Sequence, residues 1–270
     1  METPLEFAAR LAKQAGALLY EQFRSGEWSA SLKADRSVVT SADLAADRLI
    51  RQAIQTCYPN DDLLSEELQP EFRSDINETN HAIWIVDPLD GTTNFSLGLV
   101  YWGVLIARLV HGWPTVAAAY FPAVGELYTA QKDRGAWLNG APLVICPPDE
   151  KRPLSFFACC SRTHRRYQVN VPFKARILGC AAYTFCSVAR SIAVLGFEVT
   201  PKIWDLAAPW LVVREAGGVI QAHSSDQPFP LRPGIDYSTV HFPTLAAANQ
   251  EYFERARQQI LPKPPPAEAA

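Results

Sequence analysis

The segment Trp84-Ile85-Val86-Asp87-Pro88-Leu89-Asp90-Gly91-Thr92-Thr93-Asn94-Phe95 joins an apolar run to two aspartates three residues apart, and then to a small, hydroxyl-rich turn. Carboxylates at the end of an apolar strand can hold hard cations. A Gly-Thr-Thr turn beside them can offer backbone N–H groups to a phosphate. Together they point to metal-assisted phosphate chemistry. Two more acids stand where apolar segments end: Glu66 after Leu63-Leu64-Ser65, and Asp205 after Ile203-Trp204. In open α/β sheets ligands gather at strand ends. Four clustered carboxylates would repel one another and would repel a phosphate ester, so cations must accompany the substrate. An all-oxygen donor set selects Mg²⁺ or Mn²⁺ over Zn²⁺. Asp87 and Asp90, at i and i+3 around a proline turn, can face one metal pair, with the Leu89 carbonyl as a further ligand.

Each feature alone has a plainer reading. Asp-Pro-x-Asp-Gly is most often a turn. Glu66-Glu67 reads as solvated surface, Asp205 as a helix N-cap, and Gly217-Gly218 as helix punctuation. Their combination and order carry the weight.

The elements that must position these acids follow from periodicity and turn signals. Phe7, Leu11, Leu18 and Phe23 predict a helix over 5–24. Leu44, Ile50 and Ile54 predict another over 41–57, stopped by Pro59-Asn60. Leu63-Leu64-Ser65 is a short strand and 82–86 a buried one. Runs at 103–110, 113–120 and 127–131, with Asn139-Gly140 as a hairpin turn, read as an antiparallel meander. Pro147-Pro148-Asp149-Glu150 marks a boundary. Beyond it strands at 154–158, 175–178, 197–199, 219–220 and 244–248 alternate with helices at 181–195, 205–216 and about 250–260, which implies a parallel or mixed sheet covered by helices. The expected organisation is one catalytic domain over 1–262, with subdomains of about 1–148 and 153–262, and a disordered tail over 263–270.

The chain has 270 residues and 48% hydrophobic content, enough for a sizeable core. A formal net charge of -3 gives no bulk attraction to nucleic acid or membrane. No apolar run approaches the roughly 20 residues of a membrane span. Met1-Glu2-Thr3-Pro4-Leu5-Glu6 has neither the basic nor the apolar region of a secretory leader. Six scattered cysteines without a C-x-x-C pair fit reduced, mostly buried thiols, and a cytoplasmic location is expected. The adjacent Cys159 and Cys160 read as strand packing.

Two signatures resemble the inositol monophosphatase family, within the lithium-sensitive, metal-dependent sugar phosphatases. Asp87-Pro88-Leu89-Asp90-Gly91-Thr92-Thr93-Asn94-Phe95 is similar to the family's D-P-[IL]-D-G-T-x-N-F. Trp204-Asp205-Leu206-Ala207-Ala208, followed by Glu215-Ala216-Gly217-Gly218, resembles W-D-x-A-A... E-A-G-G. Val39-Thr40-Ser41-Ala42-Asp43 and Ser65-Glu66-Glu67 agree, and the resemblance spans about residues 5–260 in the right order.

The resemblance implies a layered α/β/α/β/α fold of the α/β (α+β) class, with an N-terminal antiparallel sheet and a C-terminal mixed sheet. It implies two or three Mg²⁺ per site, with Mn²⁺ as a substitute, and a homodimer inhibited by lithium. Glu66, Asp87 and the Leu89 carbonyl would hold the first ion. Asp87, Asp90 and Asp205 would hold the second, and a weaker third would sit near Glu66. Gly91 and Thr92 N–H groups would bind phosphate. Thr92, paired with Asp43, and Glu66 would orient the attacking water. The reaction implied is hydrolysis of a small phosphate monoester by metal-activated water.

Inositol 1-phosphate or a related polyol or sugar phosphate is the first expectation for substrate. Histidinol phosphate, fructose 1,6-bisphosphate and 3′-phosphoadenosine nucleotides are alternatives with the same chemistry. A non-catalytic binding protein is a third reading, and the intact set of acids argues against it. Glu198 matches a position that hydrogen-bonds a polyol hydroxyl, and Gly179-Cys180-Ala181-Ala182 matches G-[ST]-A-A of the same pocket. Gly179 and Ala181 would line that pocket. Cys180 departs from the usual hydroxyl, the stretch 190–196 is more apolar than in relatives, and Pro209-Trp210 stands where small residues are common. Lys33 is a candidate at the border of the site, with a solvated lysine as the plainer reading.

Overall fold

Capping chemistry sets the first two helices. In the computed structural model, which describes residues 2–32, 38–67, 82–146 and 155–264, the first helix runs Pro4–Ser25. Thr3 caps it in a reciprocal box with Glu6, and Pro4 occupies the first turn, where its missing N–H costs nothing. Phe7, Leu11, Ala15 and Leu19 recur at helical spacing and are buried. The second helix, Ser41–Cys57, starts with the same device, with Thr40 as cap and Asp43 as its partner.

Among the described residues a seven-stranded sheet comes first, in the spatial order Asp62–Ser65, Ala82–Asp90, Gly103–Val110, Trp113–Phe121, Glu126–Gln131, Gly135–Leu138 and Ala141–Leu143. Every pairing in it is antiparallel except Asp62–Ser65 with Ala82–Asp90, which is parallel and sets Ser65 beside Val86. The second sheet has five strands, in the order Ala175–Ile177, Phe156–Cys159, Ala193–Glu198, Thr244–Ala247 and Val219–Ala222. Its pairings are parallel on one side of Ala193–Glu198 and antiparallel on the other, so it is mixed.

The layers are α/β/α/β/α. The helices Pro4–Ser25 and Ser41–Cys57 cover one face of the first sheet through Phe7, Leu11, Ile50, Trp84 and Trp102. The helices Ala181–Ala189 and Ile203–Glu215 fill the space between the sheets, and the core there includes Phe121, Tyr128, Phe185, Trp204 and Leu211. Gln250–Gln259 covers the outer face of the second sheet. The helix Ile203–Glu215 is therefore apolar on nearly every side. No described helix is long and apolar enough to cross a membrane.

Several expectations change. The strand expected at 82–86 continues to Asp90, with a register shift against Gly103–Val110 between Asp87 and Asp90. The two aspartates thus sit on a bulge inside a strand, where Pro88 has no N–H to offer a ladder. The helix expected over 181–195 stops at Ala189. Ser191 then takes φ 63°, and Ala193–Glu198 becomes the central strand of the second sheet. Its Val, Leu and Phe are completely enclosed, and pairing on both edges outweighs a helical pattern that local sequence also permits. Arg190 ion-pairs with Glu126 of the first sheet, which explains a charge at the end of an otherwise apolar helix.

The thiols are all free, but only Cys159, Cys180 and Cys186 are buried, while Cys57 and Cys146 are exposed. Short pairings that periodicity did not reveal are Ala30–Leu32 with Val38–Thr40 and Tyr167–Val169 with Ile260–Pro262. Lys33 and the boundary 147–150 lie outside the described residues, as do 265–270. Pro262 is in a strand, and the Lys263 N–H donates to the Arg166 carbonyl at 2.9 Å.

Candidate active site

Three carboxylates meet between the sheets. Asp87, Asp90 and Asp205 each offer an oxygen, and these oxygens all lie within 4.8 Å of one another. Asp87 is 1% exposed. Its Oδ1 accepts the Leu89 N–H at 3.0 Å, and its Oδ2 has no hydrogen-bond partner among the described residues. An orphaned carboxylate oxygen in a buried site is costly unless a cation supplies the missing partner.

Burial holds the Asp87 carboxyl well above its ordinary range, reinforced by the charges of Glu66, Asp205 and Asp90. Asp205 is raised well above it too, by burial and then by Asp90 and Glu66. Asp90 is raised by burial, although three donors favour its ionised form. A set of oxygen donors that resists ionisation in the absence of a cation fits hard divalent ions.

Each acid is placed by its own element. Asp87 and Asp90 come from the bulged strand. Asp205 stands in the first turn of Ile203–Glu215, and its Oδ2 accepts the Lys202 N–H at 2.8 Å. Asp205 is thus the third residue of the helix rather than its N-cap, which is Lys202, and it belongs to the cluster as well. Pro209, four residues on, has no N–H for the Asp205 carbonyl. Glu66 is outside the 4.8 Å trio, yet close enough to raise Asp87, Asp205 and Asp43. Its N–H donates to the Val86 carbonyl at 3.2 Å, so parallel pairing sets it alongside Asp87.

Gly91 follows with φ 88° and caps the short helix Thr92–Ser96. A Cβ there would meet the Tyr101 carbonyl oxygen at 2.8 Å, so no other residue fits. The Thr92 hydroxyl lies 3.1 Å from Asp43 Oδ1 and 3.0 Å from the Leu89 carbonyl. Asp43 also accepts from the backbone and side chain of Thr40, so the cap of the second helix is also a support of the site.

The segment expected to line a substrate pocket does something more specific. The N–H groups of Ala182 and Ala181 reach Asp90 at 2.7 and 3.3 Å, and the Cys180 thiol donates to Asp90 Oδ2 at 2.9 Å. Asp90 is held at the N-terminus of Ala181–Ala189, where the helix dipole favours a negative charge. Gly179 makes room for Asn94, whose Oδ1 would be 2.6 Å from a Cβ. Asn94 Nδ2 donates to the Tyr101 and Leu178 carbonyls, both at 2.7 Å, and so ties the two sheets together beside the cluster.

Cys180→Ala removes one of three donors to Asp90. It is expected to weaken divalent-cation affinity, read by titration, by about tenfold. Cys180→Ser, which keeps a donor, is expected to stay near wild type in the same titration.

Glu198, at the end of its strand, is 6% exposed. Its Oε1 accepts the Thr184 hydroxyl at 2.7 Å, and burial pushes its carboxyl up to about 7. The folded value lies above the ordinary 4.5, so the associated stability is complete below about 4.5 and is lost as pH rises through about 7. Glu198→Gln is expected to remove that loss, worth on the order of 3 kcal/mol. Urea unfolding of both proteins from about pH 5 to about 8 measures it. Parallel curves for the two proteins would contradict it.

Asp47 was not among the candidate residues. It is buried on the same helix face as Asp43, four residues on, and accepts the Ser65 hydroxyl just before Glu66. The i, i+4 spacing of two acids on an apolar face was the available signal.

The inositol monophosphatase family model matches residues 1–260. The chain belongs to the inositol monophosphatase family. It is 32% identical over 229 residues to a histidinol-phosphatase of Chlorobaculum parvum, covering 81% of this chain and 85% of that one. It is 31% identical over 247 residues to the Nus factor SuhB of Escherichia coli, covering 87% and 91%. Among solved structures, the extragenic suppressor protein suhB from Bartonella henselae superposes with a TM-score of 0.74 at 25% identity, covering 94% of this chain and 96% of that one. As a member of the inositol monophosphatase family, the protein is a phosphatase.

Proposed function

We propose that this inositol monophosphatase family phosphatase hydrolyses a small polyol or sugar phosphate with Mg²⁺, inositol 1-phosphate first. The observation that carries the reading is the trio of buried Asp87 and Asp90 with half-buried Asp205, with an unpartnered oxygen on Asp87. Such a site is unfavourable until divalent charge enters it. The trio, with Glu66 and the Leu89 carbonyl, would hold two or three ions, and Mn²⁺ would substitute. Ions held there would neutralise the phosphate and make water a better nucleophile.

The chain's own groups do the rest. The Gly91 and Thr92 N–H groups donate to the phosphate oxygens. The Thr92 hydroxyl, set between Asp43 and the Leu89 carbonyl, and Glu66 orient the attacking water. Exclusion of bulk water strengthens these interactions, because the trio lies between two packed sheets. Glu198 receives a substrate hydroxyl, and Gly179 and Ala181 shape the pocket wall.

Phosphate release from inositol 1-phosphate, histidinol phosphate, fructose 1,6-bisphosphate and a 3′-phosphoadenosine nucleotide, each with and without Mg²⁺, tests the reading. No Mg²⁺-dependent release from any of them would end it. A homodimer is proposed as well. Leu97, Leu99 and Val100 are exposed, and Asn94 ties their loop to Leu178, just past the exposed edge strand Ala175–Ile177. Sedimentation equilibrium measures the association.

A further inference from the structure

Two buried carboxylates lie four residues apart on one face of the helix Ser41–Cys57, and Ala42, Ala46, Ile50 and Ile54 make up the rest of that buried face. Asp43 serves two elements. It completes the Thr40 cap and accepts the Thr92 hydroxyl at 3.1 Å. Asp47 stands one turn on, 2% exposed, past the positions where a carboxylate can cap the helix. A buried mid-helix carboxylate is costly unless a donor meets it. Among the described residues its one side-chain hydrogen bond comes from the Ser65 hydroxyl, which donates to Oδ1, and its Oδ2 has no partner. Burial raises the Asp47 carboxyl, while the Ser65 bond, then Arg51 and Arg48, oppose that rise.

Ser65 ends the strand Asp62–Ser65, and Glu66 is the next residue. Among the described residues this short strand lies at the edge of the first sheet and pairs only with Ala82–Asp90. The pairing carries the chain as far as the Glu66 N–H, 3.2 Å from the Val86 carbonyl. A strand end braced on one side opens more easily than one inside a sheet. The Asp47–Ser65 bond joins this end to a helix whose own place is fixed by its packing against Trp84 and Trp102.

One helix face therefore holds Thr92 at one turn and the neighbour of Glu66 at the next, with a rise of about 6 Å between the two anchoring residues. Thr92 and Glu66 are the groups assigned above to orient the attacking water. Catalytic groups must be kept within about 0.5 Å of their productive places, and partners behind them do that work.

We propose that Asp47 is a positioning residue, which through Ser65 fixes Glu66 relative to Thr92 for cation binding and for the attack by water. This rests on the metal-dependent phosphatase reading above and extends it to a residue outside the acidic cluster.

Binding of Mn²⁺ alone, followed by the electron-spin resonance of the free ion, is the first readout. Asp47→Ala and Ser65→Ala are each expected to weaken it by about tenfold. Asp47→Asn keeps an oxygen for the Ser65 hydroxyl and is expected to restore binding to within about threefold of wild type. Glu66→Gln is expected to weaken binding at least as much as Asp47→Ala. Adding Asp47→Ala to Glu66→Gln is expected to cost less than about a further twofold, because Asp47 acts through Glu66. The second readout is turnover of the ester that wild type hydrolyses best in the panel above. At saturating Mg²⁺, Asp47→Ala and Ser65→Ala are expected to lower kcat by about tenfold and to leave KM within about twofold. Circular dichroism in chelator shows whether each variant folds, and Ser65→Ala, which removes only a hydroxyl oxygen, carries the test should Asp47→Ala not fold. Wild-type Mn²⁺ affinity or wild-type kcat in the folded alanine variants would overturn the positioning role and leave the phosphatase reading intact. So would Asp47→Asn as weak as Asp47→Ala, or losses from Asp47→Ala and Glu66→Gln that multiply. Wild-type affinity in Glu66→Gln would overturn the role of Glu66, and this proposal with it. No Mn²⁺ binding and no hydrolysis by wild type would overturn the metal-dependent reading on which both stand.

Discussion

Asp87→Asn is expected to lower Mg²⁺-dependent kcat by about 10³-fold or more while the fold persists. The two side chains have nearly the same shape, so the bulged strand Ala82–Asp90 keeps its packing. The amide cannot carry the negative charge that both neighbours share. Asp87 is the most enclosed member of the trio, and its Oδ2 has no other partner among the described residues. No nearby group can replace it. Circular dichroism and the unfolding temperature in chelator test the fold, and phosphate release tests the chemistry. The variant is also expected to be at least as stable as wild type without metal, because a buried repulsion is relieved. Retained turnover would falsify the metal role assigned to Asp87.

Chelation is expected to make stability fall as pH rises, and Mg²⁺ to cancel most of that fall. Asp87, Asp90 and Asp205 all have folded values raised above the ordinary carboxylate range, with burial as the first cause. For an acid raised in this direction, the stability it contributes is complete below the unfolded value. It is lost as pH climbs through the folded value. Metal-free protein therefore loses stability on the alkaline side of the ordinary carboxylate range. A cation that binds only the ionised, folded site restores it, in proportion to the logarithm of its concentration. Unfolding temperatures with and without Mg²⁺, from about pH 5 to about pH 8, check this. The stabilisation by Mg²⁺ should be larger at the higher pH. It should shrink in Asp87→Asn, which separates the site from background titration. An equal Mg²⁺ effect at both ends of the range would sink the idea.

The two expectations share one cause. The fold brings acids together from separate elements and then withholds water from them. Asp87 and Asp90 arrive on a strand of the first sheet, and Asp205 on a helix sandwiched between both sheets. Helix packing and strand pairing, not local preference, keep the three oxygens within 4.8 Å.

Much was legible in the chain because it is local. Phe7 and Leu11 mark the first helix and Ile50 and Ile54 the second, since one helical turn spans only three to four residues. Asn139-Gly140 marks a hairpin because the turn demands those residues, and both take positive φ. Asp87, Asp90, Glu66 and Asp205 could be singled out because acids at the ends of apolar runs are costly without a reason. What failed to show depends on distant partners. The end of a helix at Ala189 rather than Leu195 follows from pairing on both sides of Ala193–Glu198, which no local window contains.

Residue types and short spacings therefore determined the chemistry open to this protein: oxygen donors for hard cations, a glycine turn beside them, and helices and strands of the right lengths. Tertiary structure alone decided how those donors are held. Cys180 serves Asp90 across 90 positions, and Arg162 reaches Thr200 across 38. The bulge turns Asp87 and Asp90 toward Asp205, and buried Glu198 feels both Asp90 and Arg162. The reason is that a side chain's charge and pKa respond to everything within a few ångströms, and chain separation carries almost no information about that distance.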